Sequence, residues 1–115
     1  MFGSNGFQKK VLAILKDEFE YEPDTRGVHR DTFKMMIDRT KALNGNEYDA
    51  ATMFMVLQMN TLMTMPPTGI LPTKSSDFIE RHMVNCKRLL PHASHGKEIG
   101  PSLEEMERSA LARRG

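Results

Sequence analysis

The sequence predicts an all-α fold, a single-domain bundle of four main helices followed by a short C-terminal helix. Three observations carry that expectation. Large apolar residues recur every three or four positions in successive segments, the spacing that gathers them on one side of a helix. Breakers at Pro23, Gly45, Pro66-Pro67 and Pro91 separate those segments. No segment shows the strict alternation of a half-buried strand, and no internal repeat is present. At 115 residues the chain is the size of one domain, and folding such a chain buries roughly two-thirds of its extended surface.

The first helix is expected from Phe7 to Tyr21. Phe7, Val11, Ile14 and Leu15 form its stripe, Leu12 and Phe19 widen it, and Lys9, Lys16 and Glu20 lie opposite. It ends ahead of Pro23, which disfavours helical backbone in the residue before it. A second helix starts with Asp31 as its cap, buries Phe33, Met36, Ile37, Thr40 and Leu43, and stops at Asn44-Gly45-Asn46, with the glycine in the C-terminal turn. The third is capped by Asn46, carries Glu47 and Asp49 in its first turn, and runs to the double proline.

Residues 66–76, PPTGILPTKSS, read as a loop. The fourth helix then runs from Ser76 or Asp77 to Leu90 with the arc Phe78, Ile79, His82, Met83, Cys86, Leu89 and Leu90. Residues 91–101 read as irregular. Ser102 and Glu105 form a capping-box pattern that opens a final helix with a weak stripe of Leu103, Met106 and Ala110. The whole of 1–115 is thus one helical domain with its core in about 7–90, and 91–115 is expected to be more peripheral and mobile.

Residues 51–65 hold five of the ten methionines, and no formal charge occurs between Asp49 and Lys74. Met55, Met59 and Met63 are spaced by four and line up as one stripe, while Met53, Phe54, Val56, Leu57, Leu62 and Met65 surround the rest of the helix. A helix apolar all round belongs at the centre of the bundle, with methionine filling irregular gaps. Stacked thioethers also suit monovalent copper, but this stripe has no flanking His or Cys and no polar path for the ion. A domain this small has few elements with which to cover every face. Met53, Leu57, Asn60, Thr61 and Thr64, with Ile70 and Leu71 of the following loop, are therefore expected to meet a second copy in a homodimer.

His82 and Cys86 stand one helical turn apart, with His92 and His95 downstream. Together they make a conceivable nitrogen and sulfur set for a structural metal. Against it, the chain has a single cysteine, and strong zinc signatures use close-spaced pairs. As core residues, His82 and Cys86 need only satisfied ring nitrogens and a small apolar hole. A Cys–His nucleophile is the weaker reading still, because no third residue is placed to orient the imidazole. The acidic residues of 17–24 lack the glycine and ligand spacing of a calcium loop.

Sixteen Lys and Arg against fifteen Asp and Glu leave a formal charge of +1, which provides no general field toward nucleic acid or an anionic surface. Arg30, Lys34, Arg39 and Lys41 make the second helix locally basic and able to touch phosphates, but Asp31 and Asp38 interrupt the patch. The uncharged stretch contains Gln58, Asn60 and several Thr and stops at a double proline, so no membrane span is expected. Five apolar residues ahead of Lys16 are too few for a secretory core, and a cytoplasmic location is expected. No catalytic constellation and no cofactor motif stands out. The expected function is that of a methionine-rich protein-interaction or regulatory module, with itself or an unidentified protein as partner; nucleic acid through the second helix and metal through the His/Cys set are the alternatives.

Overall fold

A computed structural model describes the backbone of residues 2–23, 26–64 and 72–114, and the side chains of 6–23, 26–27, 30–61 and 79–109. Five α-helices follow one another: α1 (Phe2–Phe19), α2 (Gly27–Ala42), α3 (Glu47–Thr64), α4 (Pro72–Leu89) and α5 (Gly96–Arg114), with a 3₁₀ turn at Leu90–His92 between the last two. There is no strand among the described residues, so the fold is all-α. Helices α1, α2, α4 and α5 all pack on α3, which is the central element the uncharged sequence required.

Met55 and Met59, the first two members of the methionine stripe, are fully buried, as are Ala51 and Thr52. The third member, Met63, has its side chain outside the described residues. The covering helices contribute Val11, Leu15 and Phe19 from α1, Phe33 and Ile37 from α2, and Met83, Cys86 and Leu89 from α4. Each such side chain contributes roughly 1.5–3 kcal/mol relative to exposure. The burial of α3 is incomplete, however. Met53, Asn60 and Thr61 are exposed and Leu57 is half-buried, so one side of the helix faces outward.

Helix boundaries depart from the sequence reading where capping chemistry overrides a breaker. Helix α1 stops at Phe19, because Glu20 takes a left-handed backbone (φ 52°) and the Tyr21 N–H donates to the Leu15 carbonyl at 3.0 Å. That reversal swings Tyr21 back onto the core, where its ring meets Phe54 at 6.1 Å. Helix α2 begins at Gly27, a turn before Asp31, with Arg26 in the cap position. Its C-terminus is a Schellman turn: the Gly45 N–H donates to Thr40 O at 2.8 Å and the Asn44 N–H to Lys41 O at 3.0 Å. Asn44, not Gly45, carries the positive φ of 58°. Gly45 is needed for space, since a Cβ there would lie 2.7 Å from Thr40 Cγ2 and 3.1 Å from an Asp49 carboxylate oxygen. Leu43, expected in the core, is 69% exposed just past the helix end.

Helix α4 begins at Pro72, inside the segment expected to be loop; residues 65–71 lie outside the described residues. The 91–101 segment is the larger correction. It holds the 3₁₀ turn and the start of α5, which runs through Pro101 for 19 residues and is therefore not short. Pro101 removes one helical hydrogen bond, but Ile99, Leu103 and Met106 are all buried at helical spacing across it. Burial of that stripe outweighs one missing donor. Gly96 opens α5 because a Cβ there would fall 2.6 Å from the Leu90 carbonyl oxygen.

Ion pairs tie helices together at the surface: Lys10–Glu47 (3.1 Å) joins α1 to α3, Lys87–Glu107 (2.6 Å) joins α4 to α5, and Arg88–Glu18 (2.6 Å) joins α4 to α1. Glu18 thus finds its partner on α4. Each such exposed pair is worth under about 1 kcal/mol.

Candidate functional site

The most constrained polar group is Asp49. The Asn46 side-chain oxygen accepts from the Asp49 N–H at 3.0 Å, and the Asp49 carboxylate accepts in return from the Asn46 N–H at 2.7 Å, a reciprocal cap at the start of α3. The same carboxylate accepts from the backbone N–H of Ser94 (3.1 Å) and of His95 (2.8 Å), at the threshold of α5. Asn46 Nδ2 donates to His92 O at 2.9 Å, and His95 Nε2 donates to Leu43 O at 2.9 Å. One carboxylate, 3% exposed, therefore clasps the α2–α3 turn to the 3₁₀–α5 turn. All its partners are backbone or capping groups. The cluster is structural.

His82 and Cys86 sit side by side in sequence register on α4 and are both buried. The imidazole packs against Phe19 (ring centroids 5.8 Å apart) and Tyr21 (6.2 Å, edge-on), and its Nδ1 is sealed from solvent. Burial, helped by the neighbouring Arg81 charge, pushes its pKa down to about 4, so the ring is neutral at pH 7. Burial pushes the Cys86 thiol up to about 12. A thiol held protonated and fully buried is a poor nucleophile. His92 stacks on Tyr48 at 5.3 Å, and His95 is engaged with Leu43. The four candidate ligands are thus divided between the core and the Asp49 clasp, and no group of three or more His, Cys, Asp or Glu among the described residues could hold a metal.

The basic residues of α2 do not share one face. At about 100° per residue, Arg30, Lys34 and Lys41 project together, whereas Arg39 lies on the far side with Asp31 and Asp38 between. Arg30 is already paired with Asp31 at 3.6 Å, and Lys41 Nζ stands 5.8 Å from the Phe7 ring centroid. A continuous phosphate track is absent from this arrangement.

The exposed apolar groups are differently placed. Met35 (52% exposed), Leu43 (69%) and Met53 (36%) all lie on the α2–α3 hairpin, while Val84 (65%) is alone on α4. Asp31, Lys34, Met35, Asp38, Arg39 and Ala42 line a shallow open depression along the outside of α2. On α3, Met53, Leu57, Asn60 and Thr61 come together on the outward side, as the sequence spacing predicts, and the Thr61 hydroxyl donates to Leu57 O at 2.9 Å. The Thr64 side chain and all of Ile70 and Leu71 lie outside the described residues. Sequence reasoning missed the α2 depression because Met35 fell outside the core stripe of that helix and was given no role.

No helix among the described residues is long and apolar enough to cross a membrane. No protein family, curated protein or solved structure matches this chain.

Proposed function

We propose that this protein is an interaction module that self-associates through its α2–α3 hairpin. The observation that carries the reading is the concentration of exposed large apolar side chains, Met35, Leu43 and Met53, on that one hairpin. Elsewhere among the described residues the exposed large apolar side chains reduce to Val84, and the Cys86 and His82 side chains are shut into the core. Cys86 is buried as a thiol and His82 as a neutral imidazole, so neither is presented to a substrate at the surface. The outward face of α3, with Met53, Leu57, Asn60 and Thr61, supports the same reading, because it presents uncharged surface suited to a second protein. A cytoplasmic setting is part of the proposal, and the single free buried cysteine is compatible with it.

Light scattering of the unmodified chain across a concentration series from micromolar to millimolar tests it. A mass that rises above 13.1 kDa with concentration is expected. A mass held at that value throughout overturns self-association.

A further inference from the structure

We propose that the outer face of α2 docks on the same face of a second copy, with the two helices antiparallel and crossing at Met35; this rests on the self-association reading and assigns its surface. The six residues of the depression fall into two rows at helical spacing of four, Asp31–Met35–Arg39 and Lys34–Asp38–Ala42. Such rows are the ridges by which helices interlock. Packing of rows of this kind on each other gives the commonest crossing, at about −50°.

The charge order along the first row decides orientation and occupant. Asp31 and Arg39 stand one on each side of Met35, each displaced by about 6 Å along the axis and about 40° around it in opposite senses. A two-fold axis through Met35 that runs the second row antiparallel to the first places Met35 against Met35, Asp31 against the second copy's Arg39, and Arg39 against its Asp31. A parallel arrangement sets Asp31 on Asp31 and Arg39 on Arg39. The row is therefore complementary to itself in one orientation only, the property an isologous contact demands. Lys34, Asp38 and Arg39 form no ion pair within the chain among the described residues, so their charges are available to a partner. The opposite face of α2 is fully used, with Phe33, Ile37 and Thr40 buried against α3.

Charge reversal tests the pairing. Asp31→Arg and Arg39→Asp are each expected to weaken association by at least about tenfold, because each homodimer then carries two like-charged contacts. An equimolar mixture of the two variants restores the matches across the contact, and so does the double variant D31R/R39D with itself. Both should return to wild-type association in light scattering or sedimentation, while circular dichroism reports unchanged helicity. If the wild type associates but neither single reversal weakens it, the α2 contact is wrong and self-association stands on another face. If the singles weaken association and neither the mixture nor the double variant recovers, the Asp31–Arg39 match is wrong. A wild type that stays monomeric to millimolar concentration removes this inference together with the reading beneath it. Should a reversal unfold the chain, Met35→Lys interrogates the same face, and undiminished association by that variant overturns the proposal.

Discussion

Replacing Asp49 by alanine is expected to be among the most damaging single changes in the protein. The carboxylate accepts three backbone N–H groups, from Asn46 (2.7 Å), His95 (2.8 Å) and Ser94 (3.1 Å), in a position 3% exposed. Hydrogen bonds to a charged acceptor contribute about 1.5–3 kcal/mol each. The three do not add in full, because Ser94 is exposed and its amide can return to water, whereas the Asn46 and His95 positions are half-buried. A loss of about 3–5 kcal/mol follows, a large share of the roughly 5–15 kcal/mol that holds a domain of this size. At about 4 °C per kcal/mol, Tm should fall by about 12–20 °C. Asp49→Asn keeps one acceptor and the shape, and about half the loss is expected. Chemical denaturation and thermal melting of both variants supply the check. A fall of less than about 4 °C for Asp49→Ala would refute the clasp, and would reduce Asp49 to a carboxylate interacting with the helix dipole.

Two further outcomes follow from the buried pair on α4. His82 titrates near 4 in the fold against about 6.5 in an unfolded chain, so between those pH values the unfolded state binds the proton and the folded state does not. Stability attributable to this residue is present above about pH 6.5 and should decline by about 3 kcal/mol as pH falls to about 4. In His82→Leu, denaturation midpoints compared at pH 7.5 and 4.5 should lose that part of the slope whatever the fixed packing change, and an unaltered slope would contradict the assignment. Cys86, fully buried and with its thiol pushed up to about 12, should resist a thiol reagent in the native protein and react promptly in denaturant; rapid native labelling would place it at the surface.

What the sequence disclosed and what it withheld divide along a physical line. Periodicity reports which side of a helix is apolar, so spacing alone assigns Val11, Ile14, Leu15, Phe33, Ile37, Met55 and Met59 to the core, and α3 to its centre. Asn46 and Asp49, three residues apart at the end of a turn, likewise announced a helix start. Termini settled by non-local contacts left no such trace. The start of α5 is fixed by Asp49 gripping the amides of residues 45 and 46 positions downstream, and a backbone amide has no sequence signature. Pro101 looked like a boundary because its missing donor is a local penalty, whereas the burial of Ile99 that outweighs it is tertiary. The candidate ligands illustrate a related point: His82 and Cys86 are one turn apart in either reading, and the rings of Phe19 and Tyr21 around the imidazole, a non-local packing, are what place it in the core.

The outer face of α2 belongs to neither class, and this explains why it was overlooked. Its information lies in the order of three exposed residues, Asp31, Met35 and Arg39, and not in hydrophobic periodicity, which the buried Phe33–Ile37 face dominates. A mixed-charge exposed row ordinarily reads as solvated surface, since isolated surface charges contribute little to folding. What distinguishes this row is an exposed methionine at its midpoint with opposite charges equidistant from it; within the chain Asp31 meets only the adjacent Arg30, at 3.6 Å, and Arg39 has no ion pair among the described residues, whereas a two-fold axis gives two matched contacts. Acidic and basic residues so arranged also impair a nucleic-acid track, because Asp31 and Asp38 lie between Lys34 and Arg39 around the helix. Asp31, one of the two carboxylates that interrupt a phosphate-binding surface, is thus also the acidic half of the match proposed across the two-fold axis.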